Sequence, residues 1–227
     1  MRGLFVTGTD TGVGKTIVAA ALCAGLSARG ERVAAFKPVV TGLDEPSAEW
    51  PPDHELLASA TGQTPEEVTP HRFGPAVSPH LAAELAGKEL EPQDLVAAAR
   101  RAAGRADVVV VEGVGGLLVP LTAEYSVLDL ASELALPVLV VARPSLGTIN
   151  HTLLTLESAR GAGLQVAAVV ITPWPPEPDA VEHSNRLAVE RLGQVEVLGM
   201  APTTPSELAS AGLALADRLS SRHTGWR

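Results

Sequence analysis

The stretch VTGTDTGVGKT, Val6 to Thr16, ends in the Gly-Lys-Thr of a phosphate-binding P-loop. The usual pattern places a glycine five positions before the glycine of the Gly-Lys pair. Here that position is Thr9, and Gly8 lies one residue too early. The stretch is therefore a damaged loop, a chance match or a specialised variant. Its surroundings favour the variant. LFVTG before it reads as a strand, and KTIVAAALCAGLSARG after it reads as a helix closed by Gly30. Gly12 and Gly14 let the backbone fold around phosphate oxygens with its amides turned inward. The N-terminus of the following helix adds a positive dipole end. Lys15 would reach the β- and γ-phosphates, and the Thr16 hydroxyl would hold Mg²⁺.

Beyond this loop, short apolar runs alternate with Ala/Leu-rich segments. Strands are expected at Leu4–Thr7, Val33–Lys37, Asp107–Val111, Pro137–Ala142, Val166–Ile171 and Val195–Leu198. Helices are expected at Lys15–Ala28, Asp53–Ala60, His80–Leu85, Gln93–Ala103, Val127–Glu133, Thr148–Ala162, Asp179–Leu192 and Ser206–Leu219. Most of the strands are continuously apolar, as parallel strands covered on both faces are. The reading is α/β: a single-domain, doubly wound, mostly parallel sheet with helices on both faces, the P-loop NTPase fold. The domain spans 1–219, and 220–227 reads as a flexible tail.

Composition narrows the function classes. The chain has 227 residues, 46% hydrophobic with 3% aromatic, so Val, Leu and Ala must build the core. A net charge of −9 argues against general nucleic-acid binding. The single cysteine, Cys23, sits in an apolar run and reads as a small buried hydrophobe. No signal-peptide pattern and no run of membrane-spanning length is found, so a cytoplasmic protein with no membrane partner is expected.

Four further places carry chemistry. Lys37 follows the second strand and is either a surface lysine or a second cation beside Lys15. Glu112 ends a run of four valines, before Gly113, Gly115 and Gly116, where a Walker-B carboxylate would support Mg²⁺. Asp53 opens a helix after Trp50-Pro51-Pro52, as a plain N-cap or as a further Mg²⁺ ligand. Gly147 and Thr148 open another helix, by ordinary initiation or as an anion dock on free amides. The six histidines show no metal-ligand spacing. Trp174 either lines a base or substrate pocket or packs its own loop.

In the order VTGTDTGVGKT, KPVVTG, VEGVGGLLVP and LGTINHTLLT, these motifs resemble the dethiobiotin synthetase family over about Leu4 to Leu219. The family's phosphate loop carries the extra residue before its Gly-Lys-Thr. The resemblance implies a ligase of biotin biosynthesis. CO₂ adds to one amine of 7,8-diaminononanoate, the carbamate attacks the γ-phosphate of ATP, and the second amine closes a cyclic urea. Lys15, Lys37 and Thr11 would be catalytic. Thr16, Asp53 and Glu112 would hold Mg²⁺. Nucleotide contacts would come from Gly12, Val13, Gly14, Lys15, Thr16 and Ile17, from Asp53, Glu112, Gly113, Val114 and Gly115, and from Thr172, Pro173, Ala201, Pro202 and Thr203. Substrate would meet Thr41, Gly115 and Gly116, and Gly147, Thr148, Ile149 and Asn150 of the neighbouring subunit in a homodimer.

Two positions depart from the pattern. Many relatives carry Glu where this loop has Gly12. Many have Asn-Asp, the Asn reading adenine, where Thr172-Pro173 stands. Threonine lacks the paired donor and acceptor of an amide. ATP is the expected co-substrate, with a relaxed preference that includes CTP as the alternative. Two other classes compete. Partition and division-site ATPases usually carry an extra lysine early in the loop, and Thr9 to Val13 contains none. Cobyrinate-type amide ligases add a glutamine-hydrolysing domain with a catalytic cysteine, whereas Cys23 lies in the first helix.

Overall fold

Val108 to Val111 and Val138 to Val141 carry no polar side chain, so a sheet built from them must be covered on both faces. The computed structural model, which describes residues 1–46 and 50–222, has that arrangement. Its elements are β1 (Gly3–Gly8), α1 (Lys15–Ala28), β2 (Val33–Phe36), β3 (Val39–Val40), α2 (Asp53–Thr61), α3 (Pro65–Val68), β4 (His71–Arg72), α4 (Pro79–Leu85), α5 (Pro92–Ala103), β5 (Val108–Glu112), α6 (Val127–Leu134), β6 (Val138–Ala142), α7 (Thr148–Gly161), β7 (Val166–Ile171), α8 (Ala180–Gly193), β8 (Val197–Gly199) and α9 (Leu208–Arg222). The central sheet is six-stranded, ordered β2-β5-β1-β6-β7-β8, with every pair parallel.

Two apolar layers flank it. Leu4 and Val6 of β1 face α1, α2 and α9, while Phe5 faces the side covered by α5, α6 and α7. The α1–α9 contact is very close: a Cβ on Gly212 would fall 1.6 Å from the Ala21 carbonyl oxygen, and one on Gly25 2.4 Å from Leu213 N. These two glycines let the helix backbones touch, which brings α1 and the loop before it firmly onto the sheet.

The chain leaves β1 for β2 on one side and later returns across β1 from β5 to β6. The carboxyl end of β1 is thus the switch point where such sheets bind ligands, and the phosphate loop sits there. Three local features escaped the sequence reading. β3 and β4 form a separate two-stranded sheet, registering Val39 with His71 and Val40 with Arg72. Each is two residues long, too short for a periodic signal. α3 is a single turn held by a capping box between Thr64 and Glu67. The third concerns the end of the chain, where α9 runs past Leu219 to Arg222, so 220–222 form helix where tail was expected. Residues 223–227 of that expected tail lie outside the described residues.

Candidate active site

The phosphate loop folds because glycines stand where no Cβ fits. Gly14 has φ 98° and Gly12 φ 69°, both in the left-handed region. A Cβ on Gly8 would lie 2.7 Å from Val13 Cγ2, 2.9 Å from the Asp10 carbonyl and 3.0 Å from Lys15 Cδ. Gly8 therefore lets the loop fold back closely on Asp10, Val13 and Lys15. The Lys15 ammonium donates to the Asp10 carbonyl at 2.8 Å. Burial, helped by Lys37, holds it down at about 8 from its ordinary 10.5.

Lys37 leaves the end of β2 and turns inward. It is 3% exposed, which disposes of the surface-lysine alternative. Its ammonium pairs with Asp53 Oδ2 at 2.7 Å and with Glu112 Oε1 at 2.6 Å. The Thr16 hydroxyl donates to the same Glu112 oxygen at 2.9 Å. Burial alone would lower the Lys37 ammonium, but Asp53 and Glu112 outweigh it and raise it, so it stays protonated. Burial also pushes the Asp53 carboxyl up, and Lys37 more than reverses this, leaving it below the usual range. Glu112, the last residue of β5, is fully buried, and desolvation raises its carboxyl. Asp53 is the first residue of α2, not its N-cap: the cap is Pro52, and the Asp53 carboxylate faces Lys37.

These groups open into a cavity of about 800 Å³ that Thr11, Lys15, Thr16, Lys37, Thr41, Asp53, Glu112, Val114 and Gly115 line together. The oxygens suit a hard cation. Glu112 Oε2 is buried and takes no hydrogen bond, beside the Thr16 hydroxyl and Asp53. Among the described residues, no group of three or more His, Cys, Asp or Glu side chains is placed to hold a metal ion by itself. A cation here would complete its shell with water and phosphate oxygens, as Mg²⁺ does.

A second cavity, of about 450 Å³, shares Gly12, Gly14, Ile17 and Trp50 with the first. Val13, Thr172, Pro173, Ala201, Pro202 and Thr203 line its far side. Phosphate loop and expected base pocket are therefore adjoining rooms. Gly113 and Gly116 line neither. A Cβ on Gly113 would strike Val127 Cγ1 at 2.9 Å, and Gly116 lies against the Gly8 carbonyl. Gly147, Thr148, Ile149 and Asn150 also lie outside both cavities, at the start of α7, where Gly147 and Asn150 are exposed, Ile149 is half-buried and Thr148 is buried. Trp174 lines neither of these cavities but a third, of about 560 Å³, which it shares with Ala201, Pro202 and Thr203. Its ring covers Gly199, where a Cβ would come within 2.6 Å, and the Arg186 guanidinium lies 5.4 Å from its centroid.

Among the lining residues that the sequence did not single out are Trp50 and Arg143. Trp50 lines both cavities. Arg143 lines the second and donates from Nη2 to the Thr11 and Gly12 carbonyls at 3.3 and 3.1 Å. Arg143 directly follows β6, as Lys37 directly follows β2. The signal that singled out Lys37 was present there too.

Comparison with known proteins gives the family. A protein-family model described as an AAA domain matches residues 2–208. An ATP-dependent dethiobiotin synthetase of Anaeromyxobacter dehalogenans strain 2CP-1 is 47% identical over 209 residues, covering 90% of this chain and 92% of its own. A second, from Bacillus subtilis strain 168, is 38% identical over 204 residues, covering 89% and 87%. The chain belongs to the dethiobiotin synthetase family. It is a P-loop ligase. Among solved structures, a ParA family ATPase from Chlorobium tepidum TLS superposes with a TM-score of 0.56 at 12% identity, covering 99% of this chain and 95% of that one. At that identity the likeness is one of fold.

Proposed function

We propose that this chain makes dethiobiotin from 7,8-diaminononanoate, CO₂ and a nucleoside triphosphate, with Thr16, Asp53 and Glu112 holding Mg²⁺. The observation that carries the reading is the Lys37 ammonium, sealed between Asp53 and Glu112 at the mouth of the phosphate loop. One amine of the diamine attacks CO₂ and loses a proton, giving a carbamate. A carbamate oxygen attacks the γ-phosphorus, the bond to the leaving diphosphate breaks, and a mixed anhydride forms. The second amine attacks the carbonyl carbon, loses a proton and expels inorganic phosphate as the urea ring closes. Each step concentrates negative charge where Lys15 and Lys37 point, and fixed cations in a dry site stabilise such charge strongly. Thr11, beside Gly115, orients the carbamate. Mg²⁺, when bound, would neutralise charge on the β- and γ-phosphate oxygens. No side chain acts as a covalent nucleophile.

ATP is the proposed co-substrate, with CTP also accepted, because Thr172-Pro173 and Ala201–Thr203 present a hydroxyl and backbone groups rather than an amide pair. A cytoplasmic homodimer is proposed as the working unit. Leu118 is 71% and Leu146 90% exposed, and they follow the two strands flanking β1. Gly147–Asn150 would then meet the substrate carboxylate bound in the partner subunit.

The test is a ring-closure assay with diaminononanoate, bicarbonate and Mg²⁺, run in parallel with ATP, CTP and GTP. Dethiobiotin formed in step with phosphate supports the reading. Phosphate release indifferent to the diamine, with no cyclic urea, removes it.

A further inference from the structure

We infer that Arg143 is a positioning residue that sets the phosphate loop for its anion. The inference rests on the reading of this loop as a triphosphate site. Thr11 and Gly12 are exposed, and Gly12 has φ 69°, so this part of the loop has little packing of its own to fix its peptide planes. Arg143 reaches it from the carboxyl end of β6, across the boundary of the two cavities. One guanidinium nitrogen meets both the Thr11 and the Gly12 carbonyl oxygens.

A trans peptide points its C=O and its N–H in opposite directions. Holding the Thr11 carbonyl therefore aims the Gly12 N–H the other way, and holding the Gly12 carbonyl aims the Val13 N–H. Those amides belong to the turn whose donors would cradle phosphate oxygens. The brace also uses space that a side chain at position 12 would need, since a Cβ there would lie 3.1 Å from Arg143 Nη2. A rigid strand end thus organises a glycine-rich turn through a charged donor, one nitrogen of which reaches both carbonyls.

The test uses wild type, Arg143→Met and Arg143→Lys, each titrated calorimetrically with inorganic tripolyphosphate and with Mg-ATP, with amide hydrogen exchange followed in the unliganded proteins. Arg143→Met should bind tripolyphosphate and ATP about tenfold more weakly, the scale of one charge-assisted hydrogen bond. Exchange at Gly12 and Val13 should quicken while β1 and α1 keep their protection. Arg143→Lys should fall between. Unchanged tripolyphosphate affinity in Arg143→Met overturns the inference. So does loss of ATP affinity alone, which would make Arg143 a base or ribose contact. A wild type that binds neither ligand removes the triphosphate reading and this inference together, whereas a wild type that binds both isolates the question to Arg143.

Discussion

The ammonium of Lys37 lies 2.6 Å from Glu112 Oε1, and both side chains are almost sealed from solvent. A buried pair is costly to break from one side, because the remaining charge has no water to turn to. Removing one partner typically costs about 3–5 kcal/mol. Lys37→Met should therefore lower both ring closure and stability in metal-free buffer. Lys37→Met with Glu112→Gln should recover part of the stability and none of the activity. Denaturant unfolding in chelator checks this, and a Lys37→Met protein as stable as wild type would show that the pair contributes nothing to the fold.

Lys15 gives a pH prediction of definite sign. Its ammonium is held down at about 8, chiefly by burial and next by Lys37. A lysine whose pKa falls on folding binds fewer protons in the native state between that value and its ordinary 10.5. Its contribution to stability therefore rises with pH across that window and is flat below it. Triphosphate binding needs the charged form and runs the other way. Affinity should fall as pH rises through about 8, and Lys15→Gln should bind weakly with that part of the pH dependence gone. Calorimetric titrations from pH 7 to 9.5 would decide, and an affinity level across that range would contradict the assignment of Lys15 to the phosphates.

Much of this site was legible in sequence because its parts sit at strand ends. Phe36-Lys37 and Val111-Glu112 place a charge directly after an apolar run, and such a charge must meet a partner. The order of the strands was not legible: nothing local says that β5 inserts between β2 and β1. Nor was the Lys37 bridge, which joins residues far apart in the chain through that insertion. Asp53 shows the limit well. A helix-opening aspartate reads equally as a cap, and only the helix start after Pro52 removes that reading. Trp50 stayed unread because a single aromatic in a proline-flanked loop has no period to place it.

Gly14 combines a left-handed backbone with a neighbour. Its φ is 98°, and an added Cβ would lie 2.7 Å from Thr172 Cγ2. Left-handed geometry costs a side-chain-bearing residue about 1–2 kcal/mol, and the contact adds to that. Gly14→Ala should destabilise by at least this amount and weaken nucleotide binding more than tenfold. Gly30→Ala is the control. It shares the backbone strain at φ 85° but has nothing within 4 Å of its Cβ, so nucleotide affinity should survive. Equal binding losses in both would mean that strain, not the phosphate loop, sets the result.

Trp50 and Trp174 make a paired optical test. Trp50 lines both cavities, whereas Trp174 is packed over Gly199 beside Arg186. Nucleotide binding should change tryptophan emission in wild type and in Trp174→Phe. Trp50→Phe should lose most of that change while still binding. A response that follows Trp174 instead would move the base away from the cavity at Thr172.

Base choice is the last property the cavity bears on. Thr172 and Thr203 line it and each carries a hydroxyl able to donate or accept, and Pro173 has no N–H. A hydroxyl can turn to satisfy an amino group or a carbonyl, so it discriminates weakly between adenine and cytosine. A carboxamide fixes one donor beside one acceptor, and a base that mismatches it leaves a buried group unpaired. That mismatch is what makes polar sites selective. Wild-type kcat/KM for ATP and CTP should therefore lie within about tenfold of each other, the scale of one neutral hydrogen bond. Thr172→Asn should widen the gap in favour of ATP. The comparison needs only phosphate release at saturating diamine and Mg²⁺ with each nucleotide. A wild type already selective by a thousandfold would place the reading of the base in the backbone of Ala201–Thr203, not in the Thr172 side chain.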